Sequence, residues 1–270
     1  MLVTILAAVG NRSLAQDRGD FVVPFSDPSK PVALYVDIKT GSLTIKGTAR
    51  KDVSVQYIRG GDNDGDHDHD HDKDKKSSKD GLRKIGGGSL DIEASEYQNT
   101  VKIISNNWNE GVELVIEVPS TVSIKAKAYN DGDLEVSNIT GDLELTNYNG
   151  GITALAVSGS VIAQTYNGDI KIVYEKLKPD TPLSYANYNG DIDITFPATL
   201  KATLKLKTNQ GEIYTGFDGS VVRSNPVQKS DSKSGAFKVV IDDWIKSEVN
   251  GGGPEITMKS YNGDIYVRKR

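Results

Sequence analysis

The stretch GDLEVSNITGDLELTNYNGGITALAVSGSVIAQTYNGDIKI, residues 132–172, has a glycine at every ninth position. The second and fourth residues after each glycine are apolar, as in Leu134 with Val136 and Ile170 with Ile172. Residues two apart on a β-strand share a face, so each nine-residue unit predicts a short strand with one buried side.

The residues between these strands form two alternating kinds of corner. One reads Tyr-Asn-Gly, with or without an extra Asp, and begins at Tyr129, Tyr148 and Tyr166; the other reads Ile-Thr-Gly at 139–141 and Val-Ser-Gly at 157–159. The true repeat is therefore a pair of units, 18 or 19 residues long, which is typical of a solenoid. Gly adopts the positive φ of a tight corner freely, and Asn tolerates it. We expect an all-β fold in which parallel coils stack with coinciding corners.

The pattern continues more loosely on both sides of this stretch. YNGD recurs at 188–191 and 261–264, and NQGE occurs at 209–212. Steps of 22 and 21 residues between glycines fit coils with one enlarged corner, so a coil takes about 18–22 residues.

Upstream, residues 32–57 alternate apolar and polar side chains, and we interpret them as the opening coils. We predict one solenoid domain over 30–270, with a His/Asp-rich insert at about 60–82 and a loop at about 222–235.

Three segments resemble the bacterial adhesin-like group of β-strand-repeat domains. They are PVALYVDIKTGSLTIKG near the start, VELVIEVPSTVSIKAKAYNDGDLEVSNITGDLELTNYNGGI in the middle and GGGPEITMKSYNGDIYVRK at the end. The resemblance covers roughly 30–270 and implies an exported domain of unknown function, folded as a single-stranded right-handed parallel β-helix. It implies no catalytic residues.

The N-terminal residues suggest export. An apolar run, Leu2–Val9, precedes Ser13-Leu14-Ala15, which has the small-residue spacing of a signal-peptidase site. We expect 1–15 to be a signal peptide with a truncated basic region and 16–29 a linker, so that the protein reaches the periplasm or surface of a Gram-negative bacterium. No later apolar run reaches 18 residues, so we expect no transmembrane segment in the mature chain. The sequence has no cysteine, which excludes disulfides and thiolate metal sites.

The net charge of −5 is concentrated in one segment. Residues 62–76, DNDGDHDHDHDKDKK, contain seven Asp and three Lys, a charge of −4, which leaves −1 for the rest and no basic face for nucleic acid. In an extended chain the alternation places imidazoles on one side and carboxylates on the other, which suits a weakly bound divalent ion such as Zn, Ni or Cu. The alternative is a solvated loop, since a segment without apolar residues cannot fold alone. The candidate ligands are His67, His69, His71, Asp68 and Asp70.

Aspartates that follow the corner glycines allow two functional interpretations. Calcium-binding rolls also repeat every nine residues, but they use Gly-Gly-x-Gly-x-Asp loops, and most units here have one Gly-Asp pair. A carbohydrate-active enzyme would need two carboxylates about 5–10 Å apart, which any two stacked corners would provide. We interpret the aspartates as Asx-type turn residues and expect no catalysis. They are Asp133, Asp142, Asp169, Asp191 and Asp264.

A column of corner tyrosines is the remaining candidate site. Stacked coils would align Tyr148, Tyr166 and Tyr188 as a surface for sugar rings or a protein, or the rings would simply cover the corner and pack on one another. We therefore expect a non-catalytic exported β-solenoid, an adhesin or cell-envelope binding or scaffold module, with a glycan or envelope protein as partner. Divalent-metal binding through the insert and a carbohydrate-active enzyme are the alternative functions.

Overall fold

The computed structural model is all-β in the residues that it describes, and it contains no helix there. The described residues are 18–59, 91–177, 183–223, 227–231, 236–240 and 244–270. The predicted signal peptide and the His/Asp-rich insert lie outside them.

The described residues form 23 strands. In chain order the strands are β1 (Arg18–Pro24), β2 (Ala33–Thr40), β3 (Leu43–Thr48), β4 (Asp52–Arg59), β5 (Ile92–Tyr97), β6 (Thr100–Ser105), β7 (Val112–Pro119), β8 (Ser123–Asn130), β9 (Leu134–Ser137), β10 (Leu143–Asn149), β11 (Ile152–Val157), β12 (Val161–Asn167), β13 (Ile170–Tyr174), β14 (Leu183–Asn189), β15 (Ile192–Phe196), β16 (Ala202–Gln210), β17 (Ile213–Thr215), β18 (Gly219–Arg223), β19 (Val227–Asp231), β20 (Ala236–Val240), β21 (Ile245–Val249), β22 (Glu255–Asn262) and β23 (Ile265–Lys269).

Two large sheets contain all but two of these strands. Sheet A has the order β1-β4-β7-β3-β9-β11-β13-β15-β23-β17, and sheet B has the order β18-β21-β16-β22-β14-β12-β10-β8-β2-β6-β5. We call a strand of sheet B together with the strand of sheet A that follows it a coil. Eight such coils stack in parallel, so the predicted parallel repeat is confirmed.

The apolar columns of the repeat face the core between the two sheets. Leu134, Leu143 and Ile152 are at most 2% exposed, and the columns continue through the coils at both ends of the stack. Burying a Leu or Ile side chain contributes about 1.5–3 kcal/mol relative to leaving it in water, and a single coil has no partner for its apolar face. The stack therefore stabilises coils that would not be stable alone.

The order of the coils differs from the expected succession at both ends. The coil β2–β3 lies between β6–β7 and β8–β9, and the C-terminal coil β22–β23 lies between β14–β15 and β16–β17. The predicted step from Gly190 to Gly211 therefore does not join stacked neighbours, because Asn189 of β14 pairs with Asn262. The strands of coils β2–β3 and β22–β23 are each paired on both sides, so neither coil exposes a strand edge.

Antiparallel strands extend both sheets at one end of the parallel stack and sheet B at the other, which the expectation of parallel coils alone did not include. Strands β4 and β1 extend sheet A beyond β7, and β5 extends sheet B beyond β6. At the other end β21 and β18 extend sheet B beyond β16, while β17 is the last strand of sheet A. Residues 18–24 of the predicted linker are thus a sheet strand, β1. The predicted loop at about 222–235 contains β19, which forms an antiparallel pair with β20.

The recurrence of glycine at every ninth residue has a steric cause in addition to the predicted conformational one. Gly168 has φ of +142°, which side chains rarely adopt, whereas Gly159 has no such φ. At Gly159 a Cβ atom would collide with the carbonyl oxygen of Gly141 in the preceding coil. Glycine is required there because two stacked corners approach too closely for any side chain.

Candidate functional site

The Tyr-Asn-Gly corners lie at one edge of the stack, where the strands of sheet B end and the chain turns toward sheet A. Tyrosine and asparagine are the last two residues of β8, β10, β12, β14 and β22. These strands pair in register, with Asn149 opposite Asn167 and Asn167 opposite Asn189, so corner residues of one type stack on each other. We call this edge the corner row.

Four tyrosines of the corner row form one continuous ring stack. Tyr148, Tyr166 and Tyr188 are brought together as the sequence indicated, and Tyr261 of the C-terminal coil extends the stack. Successive centroids are 5.1, 4.8 and 4.7 Å apart, and successive ring planes are within 6°, 2° and 2° of parallel. The four residues are 50%, 42%, 39% and 37% exposed along the stack.

The parallel stacking decides which part of each ring a ligand can reach. Each inner ring has a neighbour on both faces, so solvent meets the ring edges and the phenolic oxygens of Tyr166 and Tyr188. A sugar ring packs best on an aromatic face, and the inner rings do not present theirs. The inner part of the stack therefore offers hydroxyl groups, in a column with the spacing of neighbouring strands.

A chain of side-chain amides runs beside the ring stack. Each Asn Nδ2 donates to the Oδ1 of the Asn in the preceding coil at 2.7–2.9 Å, from Asn262 through Asn189, Asn167 and Asn149 to Asn130. Five coils are thereby joined outside the backbone ladders, and each bond contributes about 1 kcal/mol net. The amide chain holds the corners in register and fixes the spacing of the tyrosines.

The corner aspartates bond between coils. The Oδ1 of Asp133 accepts from the backbone N–H of Gly151 at 2.7 Å, and that of Asp191 accepts from Asp264 at 2.8 Å. The same bond is made by Asp142, Asp169 and Asp264. The expected Asx-type turn bonds would be local, whereas these bonds run to the next coil. Each corner carboxylate therefore accepts a hydrogen bond that joins two coils.

A polar column lies inside the corner, behind the tyrosines. Asn147, Thr165 and Asn187 are buried and donate to corner glycine carbonyls. The Oδ1 atoms of Asn147 and Asn187 are buried without a protein donor. Because buried acceptors are ordinarily satisfied, these two oxygens are exceptions among the buried polar groups of the corner.

Beyond the ring stack, the corner row continues with Tyr129, a tyrosine of the repeat, and with Lys39, which the sequence did not single out. Tyr129 occupies the tyrosine position of β8, and Lys39 of the adjacent β2 places its Nζ 4.2 Å from the centre of the Tyr129 ring. The same Nζ is 2.6 Å from Oδ1 of Asp37, and both side chains are only 15% exposed. In this part of the row, a Lys39–Asp37 ion pair lies against the Tyr129 ring.

Trp108 completes the row at this end. Its ring centroid is 5.7 Å from that of Tyr129 with an interplanar angle of 61°, and the residue is 55% exposed. Trp108 lies in an Asn-rich loop outside the repeat, so no periodicity pointed to it. The signal that could have identified it is composition, since it is one of only two tryptophans in the chain.

The predicted metal ligands His67, His69, His71, Asp68 and Asp70 lie outside the described residues, and metal binding by them stays a prediction. Within the described parts of the chain, no three His, Cys, Asp or Glu side chains come together as a metal site would require. That portion of the chain also has no helix long and apolar enough to cross a bilayer.

Comparisons with known proteins agree with this architecture. Residues 130–243 match the family model described as Toastrack DUF4097. The fold is similar to the crystal structure of a "putative cell adhesion protein" from Clostridium sporogenes, with 10% identity, a TM-score of 0.51, and coverage of 94% of this chain and 100% of that one. No curated protein matches the sequence. The expected resemblance to adhesin-like β-strand-repeat domains is confirmed, and the structural likeness shows the fold alone.

Proposed function

We propose that this chain, an adhesin-like β-strand-repeat protein with a Toastrack DUF4097 domain, is a non-catalytic binding module of the cell envelope. Its ligand surface is the corner row, with Tyr148, Tyr166 and Tyr188 at the centre. The observation that carries the proposal is the exposure of four stacked tyrosines on a rigid edge. Contiguous exposed aromatic surface on a soluble domain usually marks an interaction site.

The ligand class that suits this surface is an extended glycan. Phenolic hydroxyls and amides recur once per coil in one column, so a polymer with repeating hydroxyl groups meets the same donors and acceptors at successive coils. Weak contacts that repeat along a polymer add up to useful avidity. An envelope protein with an extended polar segment is the second partner class.

A non-catalytic role is part of the proposal, and the hydrogen bonds of the corners support it. The carboxylates considered for glycoside hydrolysis are the corner aspartates, and each of these has one oxygen committed to a backbone N–H of the next coil. That oxygen is engaged within the fold and is not free to contact a substrate.

Winding and location are further parts of the proposal. Crossovers between parallel strands of one sheet are right-handed in about 98% of cases, which supports a single-stranded right-handed parallel β-helix of about 18–22 residues per coil.

Export to the periplasm or cell surface of a Gram-negative bacterium rests on the apolar run Leu2–Val9 and Ser13-Leu14-Ala15. Fractionation of cells that express the chain tests export, since recovery in the cytoplasm at full length would contradict it.

A glycan array tests the binding role. The chain is expected to bind one or more extended glycans, and the combined variant Tyr148→Ala, Tyr166→Ala and Tyr188→Ala is expected to bind them less tightly. Tyr97→Ala is the matched control, because Tyr97 is the most exposed tyrosine at 74% and lies on β5, outside the row. Equal binding by the triple variant would make the stack purely structural. Absence of binding to glycans and to envelope extracts would contradict the proposed function.

A further inference from the structure

The loop that carries Trp108, residues 106–111 between β6 and β7, is braced although it is exposed. Oδ1 of Asn107 accepts from the backbone N–H groups of Asn109 and Glu110 at 2.9 and 3.1 Å. These two bonds close a local turn in which Trp108 is the central residue. The loop backbone therefore has a defined shape of its own.

Two longer contacts tie the same loop to the stack. Glu110 forms an ion pair with Arg59 of β4, and Oγ1 of Thr40 donates to the backbone oxygen of Trp108 at 3.2 Å. The backbone at Trp108 is thus held in place, the indole packs edge-on against Tyr129, and the residue is still 55% exposed. Preorganised aromatic side chains bind at a low cost in conformational entropy, which is the property that a recognition residue needs.

The charges beside the indole restrict the ligand that it would take. Lys39 Nζ lies 5.7 Å from the Trp108 ring centre and 4.2 Å from that of Tyr129, so the cation position among these rings is already filled. A cationic ligand would meet a like charge there. An anionic ligand gains little, because Asp37 already pairs with Lys39 at 2.6 Å. An uncharged ligand suits the site best.

Two exposed asparagines, Asn106 and Asn109, lie close to Trp108 in the chain. Each amide has two donor hydrogens and an acceptor oxygen. The exposed aromatic surface at this point is one indole beside a partly buried tyrosine, far less than the roughly 800 Å² per partner of a stable protein interface. Apolar contact with a ring face, surrounded by neutral donors and acceptors, is the chemistry that recognises a sugar.

The geometry points to Trp108 as the stacking residue of a binding site for an uncharged sugar, at the end of the corner row. The inference rests on the proposed function and assigns the ring-face contact to Trp108, because the inner tyrosines cover each other's faces. A longer glycan bound at Trp108 runs past Tyr129 and reaches the hydroxyl column that begins at Tyr148. Short oligosaccharides then contact only the Trp108 end of the row, and long ones contact both Trp108 and the tyrosine hydroxyls.

Calorimetric titration of the full chain with cellotriose, cellohexaose, chitotriose, chitohexaose and the acidic hexagalacturonate tests this assignment. Trp108→Ala is expected to weaken binding of the neutral trimer and hexamer at least about tenfold, and Trp108→Phe, which keeps a ring face, by less. The variant without Tyr148, Tyr166 and Tyr188 is expected to lose affinity for the hexamer only. In a Trp244→Phe background, Trp108 is the single tryptophan, and its fluorescence is expected to shift to the blue as sugar binds.

The outcomes separate the two claims. Loss of trimer binding in the triple tyrosine variant with none in Trp108→Ala would overturn the role of Trp108 and leave the proposed function standing. Preference for hexagalacturonate over the neutral hexamers would overturn the neutral ligand class. If the wild-type chain binds no glycan at all, the inference fails, and the proposed function then depends on binding to an envelope protein from the extracts. Matching circular dichroism spectra of the variants and the wild type establish that they are folded.

Discussion

The rings of Tyr166 and Tyr188 lie parallel, with centroids 4.8 Å apart and planes within 2°. The two residues are 22 positions apart in the chain, and the register that pairs Asn167 with Asn189 places them on one another. Ring stacking, amide bonding and backbone pairing thus all specify the same register, so three kinds of interaction hold the corner row in place. A partner would meet a surface that does not need to rearrange on binding.

Removal of one inner ring tests how much the ring stack contributes to the free energy of unfolding. Tyr166→Ala is expected to lower the free energy of unfolding by about 1–3 kcal/mol, because two ring contacts worth about 0.5–1.5 kcal/mol each are lost. Tyr166→Phe keeps both contacts and is expected to stay within about 0.5 kcal/mol of the wild type. Urea unfolding measures both. If Tyr166→Ala costs no more than the control Tyr97→Ala, the stack contributes nothing to stability.

The sequence predicted the repeat because the apolar columns and the corner glycines have a fixed period. Leu134, Leu143 and Ile152 face the core as the alternation required, and Tyr148, Tyr166 and Tyr188 meet in one column. These features depend on local spacing, which a single sequence contains.

The vertical order of the coils could not be predicted in the same way. Coils of one width with the same corners can be stacked in any order, so nothing local places Asn262 rather than Asn209 next to Asn189. The role of Lys39 depends on the same order, because only the insertion of β2 next to β8 brings it onto Tyr129. Trp108 lies outside any period. The site residues that sequence reasoning missed are therefore those positioned by long-range topology.

Three glycine substitutions separate steric from conformational requirements at the corners. Gly159→Ala is expected to destabilise by more than about 3 kcal/mol, since the new Cβ collides with a backbone oxygen that cannot move. Gly251→Ala has open space but a φ of +89°, so a smaller cost of about 1–2 kcal/mol is expected. Gly151→Ala meets neither problem and is expected to be neutral or slightly stabilising. Thermal unfolding ranks the three, and an equal cost at Gly159 and Gly251 would argue against the close approach of stacked corners.

The inserted C-terminal coil is expected to hold its two neighbours together. Met258 of β22 is fully buried, and β22 pairs with β14 on one side and β16 on the other. Met258→Ala is expected to cost about 2–5 kcal/mol. Hydrogen exchange should show β14, β22 and β16 losing amide protection as one unit in this variant, while β10 stays protected. Loss of protection in β22 alone would contradict the coupling. Val136→Ala in β9 is the control, since it disturbs the core away from this insertion.

Metal binding by the insert remains a prediction of the sequence. The full chain is expected to bind Zn²⁺ or Ni²⁺ at neutral pH and to lose the ion near pH 5, because imidazole must be neutral to coordinate and its ordinary pKa is about 6.5. Calorimetry of the variant with His67, His69 and His71 replaced by Ala should show no binding. Replacement of Asp62, Asp64 and Asp74 instead preserves the candidate ligands and serves as the control. Binding that survives the histidine replacements would assign the metal elsewhere.

The buried pair Tyr174 and Tyr185 should make stability fall in alkaline solution. Their phenolic oxygens are 2.7 Å apart, both residues are fully buried, and burial is the main cause that raises the pKa of each above its ordinary value near 10. A raised pKa in the folded state means that stability is complete below pH 10 and is lost as pH rises above that value, by up to about 1.4 kcal/mol per pH unit for each group.

The double variant Tyr174→Phe and Tyr185→Phe tests this pH dependence. It removes both partners, so stability near pH 7 should change little, and the alkaline decline should become shallower. Tyr185→Phe alone leaves the Tyr174 hydroxyl buried without its partner and is expected to cost about 1–3 kcal/mol at pH 7. Tyr266, whose pKa a hydrogen bond to Asp264 raises to about 12, titrates in every variant and leaves a common residual slope. Urea unfolding between pH 8 and pH 11 measures the slopes, and an unchanged slope in the double variant would show that another group controls alkaline unfolding.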